Sequence, residues 1–194
     1  MATPDTSILG YALLGLIQRK PSSGYDLRKT FAETALGNYS SSPGAIYPAL
    51  DRLESQRLIL GVLEDTAGMR RRRLYRITPK GSTELKKWLT RPIEPPHVKR
   101  GVSELMLRFA FMDQALGRNA AVGFLQQFRA ALKPYVSGLE AALKANADRM
   151  PLSGRLALEC GIRSYHSLYD WTSYAIRQYR QSPPRATLRP AKGR

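Results

Sequence analysis

Residues 41–60, SSPGAIYPALDRLESQRLIL, constrain this chain more than any other stretch. Ile46, Leu50 and Leu53 recur at i, i+4 and i+7, the spacing of one buried helical face. Ser42 is placed to cap the helix, and Pro43 takes the first helical position, where a missing N–H costs nothing. Gly44, Ala45, Tyr47 and Pro48 then crowd the first two turns. A helix built only to fill a core has no use for small residues, an outward tyrosine and a proline at its start. One side of this helix must pack, and the start of its other side must stay open to something that comes close.

The flanking sequence supplies the frame. Ile8, Leu9, Ala12, Leu13, Leu16 and Ile17 form a broad apolar stripe at helical spacing, ended by Pro21. Ser22 or Ser23 can cap a second helix running through Tyr25, Leu27 and Phe31 to about Leu36, with GNYSS as a loop. Beyond the third helix, residues 59–65 and 72–78 read as strands joined by the hairpin connection TAGMRR. Thr78 can cap a fourth helix whose apolar face is Leu85, Trp88 and Leu89. Three helices followed by a hairpin define a winged helix-turn-helix: mainly α with a small two-stranded wing.

In that arrangement the third helix enters the DNA major groove. Ser42, Gly44 and Ala45 let the backbone approach DNA, and the open N–H groups there favour a phosphate. Tyr47 stands one residue off the buried seam, in reach of a phosphate or a base, and Pro48 removes a donor and bends the helix. The run MRRRRLYR adds Arg70, Arg71, Arg72 and Arg73 at the hairpin tip. Like charges in that density call for an anion, as when a wing lies along a DNA backbone or in the minor groove.

Charge agrees. The formal net charge of +16 favours polyanionic partners. Catalysis finds no support: there are two histidines, no phosphate-binding glycine loop, no metal-spaced Cys/His set and no nucleophile–base pair. No catalytic residue, cofactor or metal is therefore expected. The single cysteine, Cys160, fits a reducing cytoplasm and reads as a buried thiol. The apolar stretch Ile8–Ile17 is too short to span a bilayer, and no secretory leader is evident, so a cytoplasmic protein without a membrane partner is expected.

Three segments, ILGYALLGLIQRKPSSGYDLRKTF, SSSPGAIYPALDRLESQRLI and RRRLYRITPKGSTELKKWL, together resemble the N-terminal domain of the PadR family of bacterial transcriptional regulators. The likeness covers about residues 7–90, in order and spacing. SPG-x-IYPAL-x-RLE followed by YRIT-x-KG is its specific core. Ser23 replaces a histidine common before Gly-Tyr, and Gln56-Arg57 replaces a commoner Glu-Gly, removing a glycine that helps end the helix. The resemblance implies a homodimer that binds a palindromic double-stranded operator, usually as a repressor. It places Tyr25, Ser42, Gly44, Tyr47 and the wing arginines towards DNA. Arg52 and Glu54 either join them or brace the helix.

The remaining chain divides by composition. Residues 1–90 are the DNA-binding domain, 91–99 (with RPIEPPH) a proline-rich linker, 100–182 a C-terminal helical, coiled-coil-like dimerisation domain, and 183–194 a basic disordered tail. Residues 102–116 show an apolar face of Leu105, Leu107, Phe109 and Met112. A long helix from Arg118 carries a seam of Leu125, Phe128, Leu132, Tyr135, Leu139 and Ala142, with Pro134 expected to kink or split it. A last helix, from about Gly154 to Arg180, is apolar over much of its circumference. Its Arg163, Tyr165, His166 and Tyr169, with His166 beside Asp170, are either dimer core or a slot for a small aromatic acid, such as the phenolic effectors to which some family members respond. Two other readings of the whole chain stand beside the operator-binding regulator: a nonspecific, nucleoid-type nucleic-acid binder, and a winged-helix adaptor for another protein.

Overall fold

A computed structural model describes residues 6–39, 42–64 and 72–182. Arg70, Arg71 and the basic tail 183–194 lie outside these residues. The chain forms two compact units, residues 1–92 with 103–115, and residues 93–102 with 116–194.

In the first unit, helix α1 (Ile8–Arg19) starts on Ser7, whose hydroxyl accepts the Gly10 N–H at 3.2 Å. Its residues Gly10–Ile17 are all buried. Strand β1 (Ser22–Ser23) leads into helix α2 (Gly24–Glu33), closed by a capping box: Ser23 Oγ accepts the Asp26 N–H, and Asp26 accepts the Ser23 N–H. A 3-10 turn (Ala35–Asn38) precedes helix α3 (Pro43–Ser55). Ser42 takes the N-cap position, and its carbonyl accepts the Ala45 and Ile46 N–H groups, but its hydroxyl makes no capping bond.

Helix α3 ends without glycine. Arg57 adopts the left-handed conformation (φ 59°), the Leu58 N–H reaches the Leu53 carbonyl at 2.9 Å and the Arg57 N–H reaches that of Glu54 at 2.8 Å. These two bonds make a Schellman motif, with the Leu53 and Leu58 side chains buried beneath it. The missing glycine therefore costs backbone strain and leaves the turn intact.

Strands β2 (Ile59–Glu64) and β3 (Arg72–Ile77) pair antiparallel, Ile59 opposite Ile77 and Glu64 opposite Arg72. The sheet has three strands, not the two expected, because Ser22 and Ser23 pair with Tyr75 and Leu74, giving the order β1-β3-β2. A serine pair has no strand periodicity of its own; the neighbouring β3 edge recruits it. Helix α4 (Pro79–Leu89) is capped by the Thr78 hydroxyl, which accepts the Gly81 N–H. Trp88 stacks on Tyr11 at 4.5 Å with the rings nearly parallel.

Helix α6 (Val102–Leu116) belongs to this first unit through Ser103–Ala115, not to the C-terminal half. Its Arg108 is buried and donates to the carbonyls of Leu89 and Arg91, satisfying the end of α4. Burial lowers the guanidinium's pKa, with Glu104 opposing. Glu104 also accepts the indole N–H of Trp88 at 3.1 Å. Of the face expected on this helix, Leu105, Leu107 and Met112 are buried and Phe109 is half-buried, and Phe111 is buried with them.

The second unit is built on two long helices. Residues 91–99 are not a plain linker, since Pro95–Arg100 forms the short helix α5, with Pro95 at its start and Val98 buried. Helix α7 (Arg118–Asn146) passes through Pro134 unsplit and buries Ala121, Phe124, Leu125, Phe128, Leu132 and Val136. Of its expected seam, Tyr135 and Leu139 are half-buried and Ala142 is exposed. After a 3-10 turn (Ala147–Arg149), helix α8 (Leu152–Gln181) packs along α7 and buries Ile162, Thr172, Ala175 and Ile176. Cys160 is exposed rather than buried, on a side of α8 that α7 does not cover.

Candidate nucleic-acid interface

Helix α3 divides as its spacing foretells. Ile46, Ala49, Leu50 and Leu53 are buried, while Tyr47 keeps 42% of its surface exposed. Gly44 and Ser42 are exposed and Ala45 half-buried, so little bulk stands between the helix start and solvent. The Tyr47 ring rests against the first residue of α2: a Cβ on Gly24 would stand 2.6 Å from Tyr47 Cε1. Gly24 is thus the seat of Tyr47, a relation that spacing alone does not reveal. The adjacent Tyr25 is 57% exposed, with the Arg28 guanidinium 5.5 Å from its ring centre. Tyr47 thus joins the exposed start of α3 to the first residue of α2, next in sequence to Tyr25.

The described wing arginines are partnered within the chain. Arg72 meets Asp26 at 3.0 Å and the Ser23 hydroxyl at 3.3 Å. Burial pushes the Asp26 carboxyl up, but the hydroxyl and N–H of Ser23 and the charge of Arg72 outweigh it and hold the group below its ordinary value. Arg73 meets Glu54 at 2.7 Å, and Glu54 also accepts the Gly61 N–H at 2.9 Å. Burial again raises this carboxyl, and the Gly61 N–H and Arg73 together bring it below its ordinary value. Any side chain at residue 61 would meet Arg73 Nε at 2.4 Å, so the glycine makes room for this bridge. Glu54 therefore braces the wing against α3, and Arg52 turns back to the Pro48 carbonyl of its own helix.

These pairs supply part of the anion that four adjacent arginines require. They also fix the strand's two faces, one arginine tied to α2 and its neighbour to α3. Both arginines stay about half exposed, so each retains donors for a further partner.

The four effector candidates on α8 do not converge. Arg163 is exposed in a shallow depression with Glu140, Lys144 and Glu159. Tyr165 lies edge-on to Tyr135 at 4.8 Å and donates to the Val98 carbonyl at 3.2 Å. His166 pairs with Glu140 at 2.7 Å, across to α7, rather than with Asp170 on its own helix. Tyr169 lies under the Arg129 guanidinium at 4.7 Å, in a separate cleft.

The first unit holds a cavity that the sequence did not disclose. It measures about 510 Å³ and lies between α1, α2 with its following turn, and α6. Leu16, Leu36, Met106 and Phe111 form its apolar walls. Arg19, 5.1 Å over the Phe111 ring, and Tyr39, donating to the Ser103 carbonyl at 2.6 Å, supply its polar rim. Among the described residues no group of His, Cys, Asp or Glu is placed to hold a metal, and no helix is long and apolar enough to cross a membrane.

A winged helix-turn-helix with an open third-helix start defines the class as a DNA-binding regulator fold. Residues 13–87 match the Transcriptional regulator PadR-like family. It is 29% identical to the negative transcriptional regulator PadR of Bacillus subtilis, over 75% of this chain and 80% of that one. A probable transcriptional regulator of Mycobacterium tuberculosis is 25% identical, over 84% and 93% respectively. The crystal structure of Bacillus subtilis PadR in complex with operator DNA aligns with a TM-score of 0.42 and 26% identity, over 89% of this chain and 99% of that one.

Proposed function

We propose that this chain is a sequence-selective, duplex-binding transcriptional repressor, not an enzyme, that acts as a homodimer on a palindromic operator. The observation that carries this reading is the split character of α3. Its seam is buried, while its first turns present Ser42, Gly44, Ala45 and an exposed Tyr47 seated on Gly24 beside an exposed Tyr25. Arg72 and Arg73, braced but half exposed, extend that surface along the wing, and Arg70 and Arg71 continue it in sequence. Dimerisation doubles the contacts over two half-sites about one DNA turn apart.

The test is a gel shift on DNA upstream of the chain's own gene, with competitor duplex and near-physiological salt. A discrete complex is expected, lost with Tyr47→Ala and with alanines at Arg70–Arg73. Equal shifts on unrelated duplexes would instead support the nucleoid reading, and no retained duplex at all would support the adaptor.

Release by a small aromatic acid belongs to the same proposal. The cavity of the first unit suits one better than the scattered α8 residues, because apolar walls there meet a cation and a phenol. A hydroxylated cinnamic acid is expected to raise the melting temperature of the wild type, and not of Arg19→Ala. An equal rise in both would move the ligand elsewhere.

A further inference from the structure

The second unit carries a strongly charged cleft none of whose residues belongs to the candidate DNA surface. Along α7, Gln126, Arg129, Ala130 and Lys133 fall at i, i+3, i+4 and i+7; along α8, Tyr169, Ser173, Ile176, Arg177 and Arg180 share the facing edge. The space between them measures about 610 Å³, the size of a small-molecule site. Four cations line it, and among the described residues none of the four is paired with a carboxylate.

Helix electrostatics explain only part of this. Arg177 and Arg180 stand near the C-terminus of α8, where the helix dipole favours positive charge. Arg129 and Lys133 stand in the middle of α7, where it does not. Bringing them opposite two more arginines costs repulsion that no carboxylate among the described residues relieves by an ion pair. Arg129 is also held in place, its guanidinium 4.7 Å from the centre of the Tyr169 ring. Ile176 and Ala130 give the cleft an apolar floor, and Gln126 and Ser173 add neutral donors.

We propose that this cleft binds a small, multiply charged anion, with phosphate groups as the preferred chemistry. Guanidinium forks match phosphate oxygens two at a time, and three of the four cations are arginines. The concave shape favours a small molecule over a DNA backbone. The site stands independently of the proposed operator binding, since none of its residues lies in the first unit.

Isothermal titration of the full chain with inorganic pyrophosphate at near-physiological salt tests it, with citrate as the polycarboxylate comparison. One saturable site per protomer is expected, tighter for pyrophosphate. Arg129→Gln with Arg177→Gln should weaken it by about tenfold or more, with Arg129→Lys intermediate. Arg163→Gln, on the same helix pair but outside the cleft, should leave it unchanged, and melting curves of each variant check that it is folded. Absence of saturable binding overturns the proposal, as does an equal loss with Arg163→Gln, which would mean a diffuse charge effect. A loss of duplex affinity in the double variant without pyrophosphate binding would assign these cations to DNA and overturn it too.

Discussion

The two units of this chain are stabilised in different ways. In the first, short helices are capped by Ser7, Ser23 and Thr78, and the Tyr11–Trp88 stack lies under α4 with Glu104 and Arg108 satisfying the polar groups around it. In the second, the 29 residues of α7 bury six side chains and the 30 of α8 only four. Leu152, Leu156 and Tyr174 remain more than half exposed on α8. The first unit also leaves Leu60 and Leu63 of β2 more than half exposed, but its helices α1 and α4 bury their apolar faces within one chain, whereas α8 has more apolar surface than its own chain covers. That contrast supports the proposed homodimer, because a second copy of α8 offers the same unburied side.

The comparison can be broken most forcefully from the first side. Trp88→Ala removes a ring that is 1% exposed and should cost about 3–5 kcal/mol, read from chemical denaturation, with operator binding lost as the unit unfolds. On the other side, Leu156→Glu should turn the dimer into a monomer by light scattering, while the helical content stays close to that of the wild type. A dimer that survives this change would place the interface elsewhere.

Smaller effects sharpen the account of the wing. Glu54→Gln should cost about 1 kcal/mol at neutral pH, as a charge-assisted bond to Gly61 and a half-exposed ion pair are weakened. Because the folded carboxyl titrates below its ordinary value of 4.5, its contribution is complete above that pH and disappears as pH falls through the lower folded value. Denaturation midpoints of wild type and variant should therefore converge in acid. Arg57→Gly should stabilise by about 1 kcal/mol, since glycine takes the left-handed position without a Cβ penalty.

Legibility in the sequence followed the range of the interactions. Local signals worked: the seam of Ile46, Leu50 and Leu53, the caps at Ser23 and Thr78, and the strands at 59 and 72 stand as spacing and turn chemistry foretold. Contacts between distant segments were not readable. Nothing near Ser22 announces a strand, because Tyr75 supplies its partner from more than fifty residues away. No local pattern around Arg108 announces that its guanidinium closes the end of α4. His166 has Asp170 one turn along its own helix, yet Glu140 wins from the neighbouring helix. At the candidate DNA surface the residue types were legible, and so was a bracing role as one of two readings of Glu54, but its partner Arg73 and the seat of Tyr47 on Gly24 were not.

The most direct measurement is a hydroxyl-radical footprint of the full chain on the duplex that its gel shift selects. The account predicts two protected segments related by the operator's symmetry, their centres about one helical turn apart, and their disappearance with Tyr47→Ala. Uniform protection along any duplex, or a pattern unchanged by that substitution, would contradict the assignment of the α3 surface to sequence-selective reading.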